Sequence, residues 1–136
     1  MTDFPTEDLL GVEGVIAIPH LGASTEEAED NSALMAAKEL TQYLETGNIS
    51  NSVNFPEASM PRMGDVRLCV LHWNVPKVLA GLASAISEMG INIEHMLNRS
   101  KGYAAYTIIE ISGELPPDLV PTILAIESVI RVNVFE

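Results

Sequence analysis

The stretch DVRLCVLHWNVPKVLAGLASAISEMGINIEHMLNRSKGYAAYTIIEI, residues 65–111, decides the fold. Val66–His72 is an apolar run of strand-forming residues and predicts a strand. Val78, Leu79, Leu82, Ile86 and Met89 recur at helical spacing, so Pro76–Met89 predicts a helix with Gly90 as its stop. Ile91–Leu97 predicts a second strand. Ser100-Lys101-Gly102 is turn chemistry, and Tyr103–Ile111 predicts a third strand, paired with the second as a hairpin.

Toward the C-terminus, Pro116–Glu127 predicts a second helix with prolines in its first turn. Val129–Phe135 predicts the last strand. The order β-α-β-β-α-β is the ferredoxin-like split arrangement, of α+β class. Two helices cover one face of such a sheet. The other face and the edge strands stay open, so the pattern predicts association, with a homo-oligomer as the simplest form.

Upstream, Val15-Ile16-Ala17-Ile18 is apolar without alternation and suits a strand buried on both faces. Pro19 ends it. Ser24-Thr25-Glu26-Glu27 has the form of a capping box, with the Ser24 hydroxyl as cap and Glu27 reaching back. A helix from Thr25 to Glu45 follows, stopped by Gly47. Ala28, Met35, Ala36, Leu40, Tyr43 and Leu44 form its expected packing stripe. One strand, one loop and one long helix do not make a domain, so residues 1–50 read as a piece of a larger α/β unit.

Charge divides the chain. Residues 1–60 carry eleven acids and one base, net −10; residues 61–136 carry eight acids and six bases, net −2. Asn54–Pro61 reads as an extended linker, because each proline biases its predecessor away from helix. Two units are expected, 1–60 and 61–136. A net charge of −12 repels phosphate backbones and anionic lipid, which argues against nucleic acid and membrane surfaces as partners. The acidic start MTDFPTEDLL lacks the basic region of a signal peptide, and one cysteine, Cys69, forms no intrachain disulfide. A cytoplasmic setting is the expectation.

VIAIPHLGASTEEAEDNSALMAAKEL, residues 15–40, and NSVNFPEASMPRMGDVRLCVLHWNVPKVLAGLASAISEMGIN, residues 51–92, together resemble the carboxy-terminal part of the D-3-phosphoglycerate dehydrogenase family. The second half resembles an ACT domain, a small-molecule sensing module. The first half then looks like a strand-loop-helix remnant of an α/β dehydrogenase domain.

The resemblance implies roles for particular residues. His20 takes the place of the family's acid/base histidine, which works beside a glutamate and an arginine on an NAD cofactor. Those partners belong to upstream segments. No G-x-G-x-x-G is present; Gly11 and Gly14 stand three apart with no strand before them. The chain alone is therefore expected to bind no cofactor and to have no dehydrogenase activity. The family's serine-sensing site, at an ACT dimer interface, maps to His72, Asn74 and Asn92. The same residues fit plainer roles: Asn74 as a helix cap, Asn92 as turn chemistry, His72 as an exposed strand end. Lys77 stands where the family pattern has a glycine.

Two functions follow. One is a regulatory and association segment that senses L-serine or another small amino acid. The other is one part of a split dehydrogenase that supplies His20 to a separate catalytic chain. A metal site from Cys69, His72 and His95 is not expected, because Cys69 and His72 are three apart on a strand and face opposite ways.

Overall fold

A computed structural model describes residues 1–136. A long helix, α1 (Glu26–Thr46), precedes a four-stranded antiparallel sheet of β1 (Val66–Trp73), β2 (Ile93–Lys101), β3 (Ala104–Ile111) and β4 (Val129–Phe135). The strands lie side by side as β2-β3-β1-β4. Helix α2 (Val78–Ser87) links β1 to β2, and α3 (Leu119–Leu124) links β3 to β4. This is the expected ferredoxin-like βαββαβ arrangement, with β4 at its predicted bounds.

Burial follows position in the sheet. β3 is buried along its whole length and β1 along most of it, whereas β2 and β4 are edge strands with half-open patterns. On one face Val66, Leu68, Val70, Ile109 and Ile111 pack against Val78, Leu82 and Ile86 of α2 and Leu119 and Ile123 of α3. Each such side chain contributes about 1.5–3 kcal/mol by leaving water.

Both helices are shorter than predicted. α2 starts at Val78 because Lys77, at φ 72°, is left-handed and breaks the helical path after Pro76. Gly90 ends the helical stretch at φ 73°, its N–H donating to the Ser87 carbonyl. Pro116 and Pro117 fall in a turn before α3, where the Leu119 N–H donates to the Pro116 carbonyl.

The second sheet face, expected to be open, is covered by the chain itself. Ile49 and Ala58 are buried against Cys69, Tyr106 and Ile108, with Tyr43, Phe55, Met60, Leu71, Leu97 and Phe135 around them. After α1 the chain turns at Gly47, forms a two-bond bridge between Ile49 and Ala58 (2.7 and 3.0 Å), and crosses the strands toward β1. Residues 47–64 are thus a strap. Its prolines give it a linker's composition, yet Ile49, Phe55 and Met60 are spaced to meet the sheet. Gly47 is required at the turn: it adopts φ 69°, and a Cβ there would lie 2.7 Å from the Phe135 ring.

The chain divides into two compact units, Met1–Lys38 and Glu39–Glu136. The composition break lies at residue 60, but packing of the strap joins residues 39–60 to the sheet. In the first unit, Val15–Ile18 is not a buried strand. Ala17 makes a single parallel bridge to Thr2, and Ile16 and Ile18 are exposed, because no further strand extends the ladder. A lone bridge cannot bury a face. Thr25, not Ser24, caps α1, its Oγ1 accepting the Ala28 N–H at 3.2 Å. The helix otherwise runs as predicted, but no residue in it is fully buried. Met35, Ala36, Leu40 and Leu44 are exposed, and of the expected stripe only Tyr43 packs on the sheet. No helix is long and apolar enough to cross a membrane.

Candidate functional site

β1 ends by presenting His72, which is buried and not an exposed strand end. Its Nδ1–H donates to the Trp73 carbonyl at 2.8 Å, and Nε2 lies 2.8 Å from Thr107 Oγ1 on β3. The Thr107 hydroxyl donates in turn to Asn98 Oδ1 on β2, also at 2.8 Å. Three strands therefore hold the imidazole in one orientation.

Asn74 does not cap α2. Its side-chain amide donates to the Gly102 carbonyl at 3.1 Å and its backbone N–H to Tyr103 at 2.8 Å, tying the loop after β1 to the β2–β3 turn. The exposed Trp73 ring at the end of β1 and the exposed Tyr103 ring on this turn lie 5.7 Å apart. Lys77 occupies a backbone conformation that glycine adopts freely and that costs an L-residue about 1–2 kcal/mol. Lys77 thus follows a path that glycine would take without strain, and its side chain is exposed.

Asn92 is exposed two residues after Gly90. Its Nδ2 donates to Glu94 Oε1 at 3.0 Å, and Ser112 Oγ donates to the same oxygen at 3.0 Å. These two bonds, Asn92's first, hold the Glu94 carboxyl below the usual range.

The sheet keeps these residues apart. β1 and β2 run parallel, each antiparallel to β3 between them. Trp73 pairs with Ala104, which pairs with Lys101, so His72 and Asn74 lie where β2 finishes. Val66 pairs with Ile111, which pairs with Ile93, so Asn92 lies where β2 begins. At roughly 3.3 Å per residue the two ends are about 25 Å apart. One copy of the chain cannot close His72, Asn74 and Asn92 around one small ligand.

A second polar centre is absent from the sequence reading. Arg67 and Glu110 face each other across β1 and β3, both fully buried. Glu110 Oε1 accepts from Arg67 Nη2 at 2.6 Å and from Nε at 2.9 Å. The guanidinium also donates to the carbonyls of Thr46 and Met60, both at 2.9 Å, and to Asn48 Oδ1 at 3.1 Å. Glu110 Oε2 accepts the N–H groups of Met63 and Gly64 at 3.0 Å. Burial alone would raise the Glu110 carboxyl. The Arg67 and backbone bonds outweigh it and hold the group below the usual range. The pair fastens both ends of the strap to the sheet. The signal was one charge of each sign in otherwise apolar strands.

Nearby, burial pushes up both the Tyr106 hydroxyl, which donates to the Gly47 carbonyl at 2.7 Å, and the Cys69 thiol. Cys69 lies on the strap face and His72 bonds across the helix face, so the structure does not gather Cys69, His72 and His95. It holds no group of three or more metal-ligating side chains. In the first unit, His20 Nδ1 lies 2.7 Å from Asp3 Oδ2, with the Phe4 ring 4.4 Å from the imidazole; all three are exposed.

No protein-family model matches the sequence. Curated proteins do. D-3-phosphoglycerate dehydrogenase of Escherichia coli (strain K12) is 36% identical over 109 residues, which are 80% of this chain and 27% of that protein. The relatives of this chain are D-3-phosphoglycerate dehydrogenases. Those of Saccharomyces cerevisiae (D-3-phosphoglycerate dehydrogenase 2; 37% over 113 residues, 79% and 24% covered) and Haemophilus influenzae (31% over 123 residues, 90% and 30% covered) are similar too. The chain spans about a quarter of the length of the curated relatives it matches. Among solved structures, the ACT domain from GTP pyrophosphokinase of Chlorobium tepidum is similar at a TM-score of 0.46 and 12% identity, covering 52% of this chain and 95% of that one.

The NAD that resemblance to these dehydrogenases implies does not fit residues 1–38. A dinucleotide's pyrophosphate needs a glycine turn between strand and helix, with free N–H groups at the helix start. Here the first turn of α1 carries Glu26, Glu27 and Glu29, whose charges repel phosphate. Gly11 and Gly14 follow a short 3-10 turn at Glu7–Leu9 and no strand.

Proposed function

We propose that this chain is the amino-acid-sensing and association segment of a D-3-phosphoglycerate dehydrogenase, in serine biosynthesis, with L-serine as its ligand and the cytoplasm as its setting. In this reading the ligand site is shared by two copies. The observation that carries it is the Asn74–Gly102 bond. It puts Asn74 at the finishing end of β2, an edge strand, while Asn92 stands at the starting end.

Two β2 edges paired antiparallel about a two-fold axis set the start of each strand beside the finish of the other. Asn92 of one copy then approaches His72 and Asn74 of its partner. Glu94 of one copy likewise comes near Arg99 and Lys101 of the other. Amide groups offer both donors and acceptors, which suits a zwitterion.

Thermal unfolding with and without L-serine, with D-serine as control, tests the reading. Ligand at about 100 times its dissociation constant stabilises by roughly 2.7 kcal/mol. A rise in Tm specific to L-serine is expected; no rise, or an equal rise with D-serine, contradicts the assignment. Sedimentation as a monomer contradicts the shared site.

A second reading has one observation in its favour. The Asp3 carboxylate touches His20 Nδ1, as an orienting acid would beside a histidine base. The chain would then lend His20 to a separate chain carrying the NAD site. Oxidation of 3-phosphoglycerate that needs both chains and is lost in His20→Ala is its expected result. Activity unchanged by that substitution removes it.

A further inference from the structure

Three hydrogen bonds of 2.8 Å form one chain through the buried His72 side chain: Nδ1 to the Trp73 carbonyl, Nε2 to Thr107 Oγ1, and Thr107 Oγ1 to Asn98 Oδ1. Counting hydrogens along it fixes the protonation. A carbonyl only accepts, so Nδ1 carries a hydrogen. Asn98 Oδ1 only accepts too, so the Thr107 hydroxyl gives it the one hydrogen it has. None is left for Nε2 to accept, and Nε2 must donate one of its own. The arrangement is that of an imidazolium, with a hydrogen on each nitrogen.

Loss of the Nε2 proton reverses the chain. Nε2 then accepts the Thr107 hydrogen, and Thr107 Oγ1 needs a donor where Oδ1 stood. Turning the Asn98 amide over supplies it: Nδ2 faces Thr107 and Oδ1 faces outward. Asn98 is free to turn, because it is half-buried and its Nδ2 is open to solvent, with no partner in the chain. His72 and Thr107 are buried, so these groups must satisfy one another in either state. Other charges stand off. Helices α2 and α3, which pack on this face, contain no titratable residue, and the charges flanking them, Lys77, Glu88, Asp118 and Glu127, are exposed. His95, Arg99, Lys101 and Arg131 project from the strap face, as do Cys69, Tyr106 and the Arg67–Glu110 pair. Glu94 lies at the far end of β2.

We propose that His72, Thr107 and Asn98 form a proton switch. The proton on His72 Nε2 sets whether the β2 edge presents the amide nitrogen or the amide oxygen of Asn98. The three residues span β1, β3 and β2, so a change at a buried imidazole is read at the edge of the sheet. A second copy pairing on β2 would meet a donor in one state and an acceptor in the other. The switch belongs to a single copy and stands apart from any ligand site that two copies share.

Nitrogen-15 NMR of the full chain without ligand, titrated between about pH 5 and 8, reads both ends of the switch. His72 should keep its hydrogen on Nδ1 throughout and lose the one on Nε2 as pH rises. The side-chain amide signals of Asn98 should move with the same midpoint. Asn98→Asp places a carboxylate at the end of the chain and should raise the His72 midpoint by about one pH unit. Thr107→Val should uncouple Asn98 from His72, and Thr107→Ser, which keeps the hydroxyl, should preserve the coupling. His72 in one protonation state across the range overturns the proposal. So does an Asn98 amide that ignores a titrating His72, a midpoint unmoved by Asn98→Asp, or a Thr107→Val protein in which both groups still move together. The wild-type and Asn98→Asp titrations decide the matter even where Thr107→Val does not fold.

Discussion

Residues 1–38 and 39–136 use similar apolar side chains to opposite ends. In the second unit Ile108 and Ile109 are buried in a sheet covered on both faces, and Ile49 is buried in the strap that covers one of them. In the first, Phe4, Leu10, Ile16, Leu21, Leu34 and Met35 are exposed and no residue is buried. Apolar content does not make the difference; matching surfaces do. A run such as Val15–Ile18 becomes a buried strand only where other strands extend its ladder, and the first unit provides a single bridge to Thr2.

The contrast predicts where substitutions hurt. The largest effect falls on the clasp of the strap. Glu110→Ala leaves Arg67 as a buried unpaired charge and should cost about 3–5 kcal/mol in urea unfolding. The same pair gives the second unit an acid limit. The folded Glu110 carboxyl lies below its ordinary value of about 4.3. Its stabilisation is therefore complete above that value and is lost as pH falls through the lowered one. Hydrogen exchange at Ile49 and Ala58 should report this loss, and strap amides that stay protected in Glu110→Ala would break the assignment.

Gly47→Ala comes next, at about 3 kcal/mol, from a strained backbone and a methyl group driven against Cys69 and Phe135. A midpoint unchanged in urea would mean that the strap does not dock as described. Lys77→Gly should act the other way, raising stability by up to about 1 kcal/mol by relieving a left-handed lysine. Smallest is Leu34→Ala in the first unit, within about 0.5 kcal/mol, because the side chain is already in water. A large loss there would erase the contrast between the two units.

The order of strands and helices along the chain was legible because its signals are local. Val129–Phe135 alternates between turns, and α2 shows its period in Val78, Leu82 and Ile86. The strap was not legible, because its contacts join residues far apart in sequence and its prolines mask a covering role. Arg67 and Glu110 are single charges whose partnership exists only once β1 and β3 are in register. For the candidate site, His72, Asn74 and Asn92 could be named from resemblance. That they stand at opposite ends of one sheet needed the strand order.

The shared site is the central claim, and complementation between two inactive variants tests it most directly. Asn74→Ala and Asn92→Ala should each abolish L-serine binding at the shared site when alone. Mixed, unfolded and refolded together, they form dimers in which one site carries both substitutions and the other carries neither. One restored L-serine site per mixed dimer, measured by titration, is the predicted result. Binding that stays absent in the mixture, while the variants still associate, would contradict a site built from two copies.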